Sequence, residues 1–196
     1  MIYLGHMQGP AKEFNFDFMK YFEALSESMR WLGEKNDTIF IGQAVNYPGT
    51  ALFNTLKEVP EEKRIELPVF EETQLGISSG LCLTNFRPIS IFPRWNFLLC
   101  ATNQLVNHLD KYPIMSENTF CPNPIIRTAV GSEKPLFPGY QHIGNMSEGF
   151  KKILTNIEII ELKETDDIIP AYKYAYEYPK KKAFLIVEFA DFYNEK

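Results

Sequence analysis

Long apolar runs are missing from this chain: none of its 196 residues belongs to a stretch approaching the roughly 18 that a membrane-spanning helix needs. The opening residues, MIYLGHMQGPAKEF, lack the layout of a secretory signal. Residues 1–16 read as an N-terminal extension, and 17–196 as a single domain. Basic blocks are missing too. With a formal charge of −5, neither nucleic acid nor an anionic membrane surface is an expected partner. Cysteine is scarce. Cys82, Cys100 and Cys121 are odd in number and lack CxxC spacing, which argues against a disulfide framework and fits reduced thiols in a cytoplasmic protein. His6, His108 and His142 have no companions at ligand spacing, so no protein-bound transition metal is expected. The motifs G-x-S-x-G, Walker A and G-x-G-x-x-G are all absent. An α/β-hydrolase is therefore not expected, nor is a phosphate cradle of the chain's own.

What is present is an alternation of strand and helix signals. Asp17 can cap a helix with Phe18, Phe22, Leu25, Met29 and Leu32 on one face, ended by Gly33. Thr38–Ile41 is a short buried strand, and Thr50 caps a brief helix over Ala51–Leu56. Further strands are expected at Ile65–Val69, Arg87–Phe92, Pro124–Val130, Ile157–Leu162 and Ala183–Glu188. Helices are expected at about Glu72–Thr84, Asn96–Lys111, Ser147–Leu154 and Asp166–Glu177. Asn85 stands where a helix ends in a left-handed residue. Six alternations imply a three-layer α/β fold, with a mostly parallel sheet of about six strands and helices on both faces. Gly131–Asn145 is too long for an ordinary connection, and loops of that length are usually functional or disordered.

Candidate chemistry collects around Ile65–Phe97. Glu71 sits where a buried strand becomes a helix, at the edge where open α/β sheets bind ligands. The plainer alternative is a first-turn glutamate favoured by the helix dipole. Phe97 could offer a flat face to a ligand ring or simply fill the core. His142 could transfer protons if its loop lines a site, although a loop histidine is more often solvated. Tyr172 and Tyr176 share a helix face and should pack against the sheet or a partner.

In order along the chain stand PVFE, the small-residue helix LGISSGLCLTN, FRP, a strand running into WNF, and NQLVNHLDKY. This series resembles the pyrimidine-binding domain of thiamine-diphosphate enzymes. It looks most like the beta subunits of the 2-oxo acid dehydrogenases, with transketolase a more distant relative. Those carry P-[IL]-[ST]-E at Pro68–Glu71, a turn such as G-x-R-P at Asn85–Pro88, N-F at Asn96–Phe97 and A-Q-H-S at Tyr140–Ile143. The resemblance implies that Glu71 hydrogen-bonds a ring nitrogen of the cofactor's aminopyrimidine and favours the tautomer that activates the thiazolium. It also implies that Phe97 stacks on that ring, that His142 faces the substrate, and that Leu67 to Phe70 contribute backbone to the pocket.

Cys100 occupies the family's polar position three residues after the stacking phenylalanine. Gln43 replaces a glutamate, Ile143 the loop serine, and Phe70 a small residue. No G-D-G motif is present, so the resemblance implies that an alpha-type partner holds the diphosphate and most of the Mg²⁺. A dimer of heterodimers follows, or a homodimer if the chain is isolated, and exposed apolar surface is expected. The chain also ends near the point where such subunits continue into a C-terminal transketolase-type domain. The resemblance points to decarboxylation, dehydrogenation or ketol transfer on a small 2-oxo acid or ketose. The alternatives are a non-catalytic structural or regulatory partner with a drifted pocket, and an unrelated doubly wound domain binding a nucleotide or flavin.

Overall fold

A computed structural model describes residues 19–134 and 136–194. Six strands form one sheet: β1 (Thr38–Gly42), β2 (Arg64–Glu66), β3 (Arg87–Ile91), β4 (Ile125–Val130), β5 (Glu158–Glu161) and β6 (Phe184–Phe189). Their order is β2-β1-β3-β4-β6-β5, and every pair is parallel. Parallel neighbours require crossover connections, and helices supply them. On one face lie α1 (Tyr21–Gly33), α2 (Ala51–Thr55) and α7 (Ile168–Glu177), sharing a core with Phe40, Ile89, Ile91, Ile125 and Ile186. On the other lie α3 (Glu71–Leu81), α4 (Trp95–Leu98) and α6 (Ser147–Ile153), packed with Phe92, Leu105, Ile126, Leu185 and Val187. Successive residues Ile125 and Ile126 thus serve opposite layers. Both faces are covered, which is why the central strands read as unbroken apolar runs. Each fully buried Leu or Ile contributes about 1.5–3 kcal/mol relative to exposure.

Local chemistry sets the ends. The Thr50 hydroxyl accepts from the Phe53 N–H at 3.1 Å, capping α2. Asn85 adopts φ 64°, the left-handed conformation expected after α3. At the start of α1, the Lys20 N–H donates to Glu23 at 3.2 Å; the expected Asp17 cap and Phe18 lie outside the described residues. Gly33 is the last residue of α1 and not a left-handed terminator. A Cβ there would stand 3.3 Å from Pro60 Cδ, so close approach of the Val59–Pro60 turn leaves little room for a side chain.

Two expected elements differ. The second strand stops at Glu66, not Val69. Pro68 has no N–H for a ladder, and the Glu66 carboxylate turns back to accept the N–H groups of Ala44, Val45 and Asn46 at 2.9, 2.7 and 2.7 Å. The helix expected over Asn96–Lys111 is α4, a tight turn Leu99–Ala101 and a π-helical stretch Gln104–Leu109. Widening by one residue, with the Asp110 N–H bonded to the Leu105 carbonyl, keeps Leu105 and Leu109 buried. It also leaves Asp110 able to bind the chain ahead of β5, where its carboxylate accepts the Thr155, Asn156 and Ile157 N–H groups at 2.9, 2.7 and 3.1 Å. A further short helix, α5 (Tyr112–Met115), follows. Among the described residues, no helix is long and apolar enough to cross a membrane.

Candidate functional site

The chain leaves β1 for α2 on one face and leaves β3 for α4 on the opposite face. Reversal of direction between neighbouring strands opens a crevice at their carboxyl ends. Gly42 closes its floor with φ 145°. A Cβ there would run into the Ile91 carbonyl oxygen and come within 2.7 Å of Gln74 Nε2, so only glycine fits. Gln74 is fully buried and donates to the Ile91 carbonyl at 2.9 Å and to Ser90 Oγ at 3.2 Å. Ser78 Oγ lies 3.0 Å from the same Ser90 hydroxyl. This clasp fixes α3 against β3.

One turn ahead of Gln74, Glu71 begins α3 at the crevice edge. The residue is only 7% exposed, and its carboxylate has no hydrogen-bond or ion-pair partner among the described residues. Its neighbour Glu72 has the ordinary fate of a first-turn carboxylate: it is exposed, and accepts from Asn103 Nδ2 at 2.6 Å. Of the two first-turn carboxylates, Glu71 is therefore the one with its acceptors uncommitted. Leu67 is half-buried with its N–H on the Gly42 carbonyl at 2.8 Å, while Phe70 is largely exposed. Val69 is exposed as well, so the acid is preceded in sequence by two uncovered apolar side chains, and Tyr47, in the segment after β1, is a third exposed one.

Phe97 and His142 come together, their ring centroids 5.6 Å apart and tilted by 45°. Phe97 is set by its N–H on the Arg94 carbonyl, 3.1 Å. His142 closes a tight turn, Tyr140–His142, entered through Gly139 at φ 100°. Its Nδ1 is buried and unpartnered, as are Gln43 Nε2 at the end of β1 and Asn96 Oδ1 in the first turn of α4. Cys100 is exposed, one turn beyond Asn96; Ile143 is half-buried beside His142. Among the cysteines, only Cys82 is fully enclosed, and burial pushes its thiol up to about 11. Among the described residues, no group of three His, Cys, Asp or Glu side chains could hold a metal ion.

Sequence reasoning passed over the Gln74 clasp, the Glu66 staple, and a buried cluster on the opposite face. There Arg127 forks onto Glu188 at 2.5 and 3.0 Å, while Tyr172 and Tyr193 donate to the same carboxylate at 2.7 and 2.5 Å. Arg127 also donates to Thr55 Oγ1 at 2.9 Å. Burial opposes the Arg127 charge, but Glu188 outweighs it and holds the guanidinium pKa above its ordinary value. Tyr172 and Tyr193 are pushed well above theirs by burial and by Glu188. The signal was available: a charged residue inside each of the apolar strands IIRTAV and FLIVEF.

No family model matches the chain. It is 24% identical over 117 residues to the 2-oxoisovalerate dehydrogenase subunit beta of Bacillus subtilis (strain 168), a match covering 58% of this chain and 36% of that protein. A split-gene transketolase, solved as an inactive β4 tetramer, superposes with a TM-score of 0.66 at 16% identity, covering 88% of this chain and 51% of the other. A putative thiamin diphosphate-dependent enzyme from Mycobacterium smegmatis gives 0.59 at 18% identity, covering 87% and 31%. The chain therefore spans about a third of the length of its curated relative. These structures share its fold, a three-layer, transketolase-like α/β arrangement. Together with the curated match, they support the resemblance carried by the ordered motifs.

Proposed function

We propose that this chain is the beta-type, pyrimidine-binding subunit of a split thiamine-diphosphate-dependent enzyme. It would act on a small 2-oxo acid or ketose by decarboxylation, dehydrogenation or ketol transfer. One observation carries the reading: Glu71 is a largely buried residue at the sheet's switch point whose carboxylate has no partner of its own among the described residues. Such a group is suited to a ligand nitrogen. The orphaned Gln43 amide and Asn96 oxygen, with the Phe97 ring, fit the polar edge and flat face of an aminopyrimidine. The diphosphate half is not matched, since no G-D-G motif occurs and the described residues offer no three-ligand acidic group. Diphosphate and Mg²⁺ would be held by an alpha-type subunit, in a dimer of heterodimers. The apolar rim of Tyr47, Val69 and Phe70 supports such a partner.

Thiamine diphosphate, when bound, supplies the electron sink for making or breaking a bond beside a carbonyl. Glu71 would hold and return a proton at a pyrimidine ring nitrogen. Phe97 would stack on that ring, and Leu67 and Phe70 would border it with backbone. Cys100 would stand at the outer edge of the same wall. His142, its Nδ1 free, would face the substrate. Glu71→Gln in the reconstituted pair should keep the fold and lower turnover by about 10²–10⁴-fold, the usual worth of a positioned acid or base. Unchanged turnover would remove the assigned acid.

A second reading, a non-catalytic partner, draws on Gln43, which stands where the resembled family has a glutamate. Calorimetry with thiamine diphosphate and Mg²⁺ on the alpha–beta complex separates the two. Binding supports the enzyme, and its absence supports the partner.

A further inference from the structure

A second feature lies beside the Phe97–His142 pair. Arg94, three residues before Phe97, is half-buried, and its side chain makes no hydrogen bond or ion pair among the described residues. It borders a cavity of about 200 Å³ at the carboxyl ends of β3, β4 and β6, together with Thr50, Ser132 and Tyr193. A half-buried arginine side chain without a carboxylate partner keeps its N–H donors open to an incoming anion. The acids on the neighbouring C-terminal segment are already engaged. Glu188 is saturated by Arg127 and two tyrosines, and Asp191 accepts the Glu133 and Lys134 N–H groups at 2.8 and 3.2 Å.

The cavity also offers hydroxyl donors. Ser132 Oγ has no partner among the described residues. Thr50 Oγ1 accepts from Phe53 and keeps its own proton to donate. A planar fork of N–H groups beside hydroxyls is the donor set that carboxylate and phosphate oxygens take. The connection to the ring pair is short. Arg94 Cδ stands 3.6 Å from where a Cβ on Gly131 would be, and that same position abuts the His142 carbonyl. The Arg94 carbonyl in turn accepts the Phe97 N–H.

We propose that Arg94, with the hydroxyls of Ser132 and Thr50, is an anion receptor for the carboxylate or phosphate end of the small-molecule substrate. The receptor stands on the geometry of Arg94. Its assignment to the substrate rests on the functional reading above, and it makes Arg94 a specificity-determining residue of that site.

The test is titration of the full chain with inorganic phosphate and, separately, pyruvate at constant chloride. Binding is followed at the Arg94 Nε–H resonance and by calorimetry. Both should perturb that resonance. Arg94→Gln should weaken binding roughly ten- to hundredfold, in line with loss of a charge-assisted hydrogen-bond pair, while the thermal melt without anion stays the same. Arg94→Lys, a charge without the fork, should recover only part of the loss. Tighter phosphate points to a phosphorylated ketose, and tighter pyruvate to a 2-oxo acid. No anion effect at Arg94, or unaltered affinity in Arg94→Gln, overturns the receptor. Thiamine diphosphate binding by the alpha–beta complex is measured separately. Its failure would sink the functional reading without altering the anion result.

Discussion

Gly131→Ala should separate the position of His142 from the integrity of the fold. Gly131 follows β4 directly, and a Cβ added there would fall inside contact distance of the His142 carbonyl oxygen. Carbon and oxygen cannot share that space, so the loop must retreat by about 1 Å or more to restore ordinary packing. The opposing atoms belong to the backbone of a tight turn, not the flexible end of a side chain, so rotamer change gives no relief. Overpacking of this kind costs about 1–3 kcal/mol, which a domain stable by about 5–15 kcal/mol survives. The larger effect falls on geometry. His142 and Phe97 are in ring contact at 5.6 Å, and under the role proposed above for His142, a displacement of ~1 Å can cost on the order of 10²-fold in rate. Urea unfolding should register the modest loss with an unchanged slope. The His142 ring-proton shifts should move toward solvent values as the Phe97 ring current is lost. Glycine at 80 is the control: nothing lies within 4 Å of its Cβ position, so Gly80→Ala should leave the His142 signals alone. A Gly131→Ala protein with wild-type stability and wild-type His142 shifts would refute the argument.

The buried cluster gives a second expectation: Arg127→Met strands Glu188 with only its two tyrosine donors. Breaking a buried pair in this way costs about 3–5 kcal/mol, so urea unfolding should lose at least ~3 kcal/mol, and Arg127→Met/Glu188→Leu should regain a substantial part. Less than ~1 kcal/mol for the single variant would contradict the account. A third expectation concerns acid. Burial works against the Asp110 charge, but hydrogen bonds from Lys111, Asn156 and Thr155 outweigh it and hold the carboxyl below its ordinary value. The stability it contributes is complete above about pH 4, the unfolded-state range, and is lost as pH falls through the lower folded value. Asp110→Asn should cost about 1.5–3 kcal/mol at pH 7, with the gap to wild type closing toward pH 3. A gap independent of pH would be inconsistent.

Much of this architecture was legible because its signals are local. Thr50 and Asn85 are read from the chemistry of helix ends, and the central strands from apolar runs that need covering on both faces. The exceptions have long-range causes. β2 is cut short where Glu66 turns to amides about 20 residues earlier, a bond invisible to any strand pattern. The π-helical turn at Gln104–Leu109 accommodates Asp110, whose partners lie 45–47 residues on. In the candidate site, Glu71 was readable from its motif, but its isolation was not, because burial depends on what the fold does not bring near. Gln74 looked like any helical glutamine until β3 was placed beside it. Arg127 and Glu188 are 61 residues apart, and only the β4–β6 register, which puts Arg127 opposite Ile186, one strand position from Glu188's neighbour Val187, makes them partners.

The clasp of Gln74 on Ser90 and Ile91 has an evolutionary corollary. Because Glu71 inherits its coordinates from a glutamine a turn away, lineages can exchange the surrounding side chains without relocating its carboxylate. Positions such as Gln43, Phe70, Cys100 and Ile143 are then free to diversify, while the Gln74–Ser78–Ser90 triplet should change only in concert.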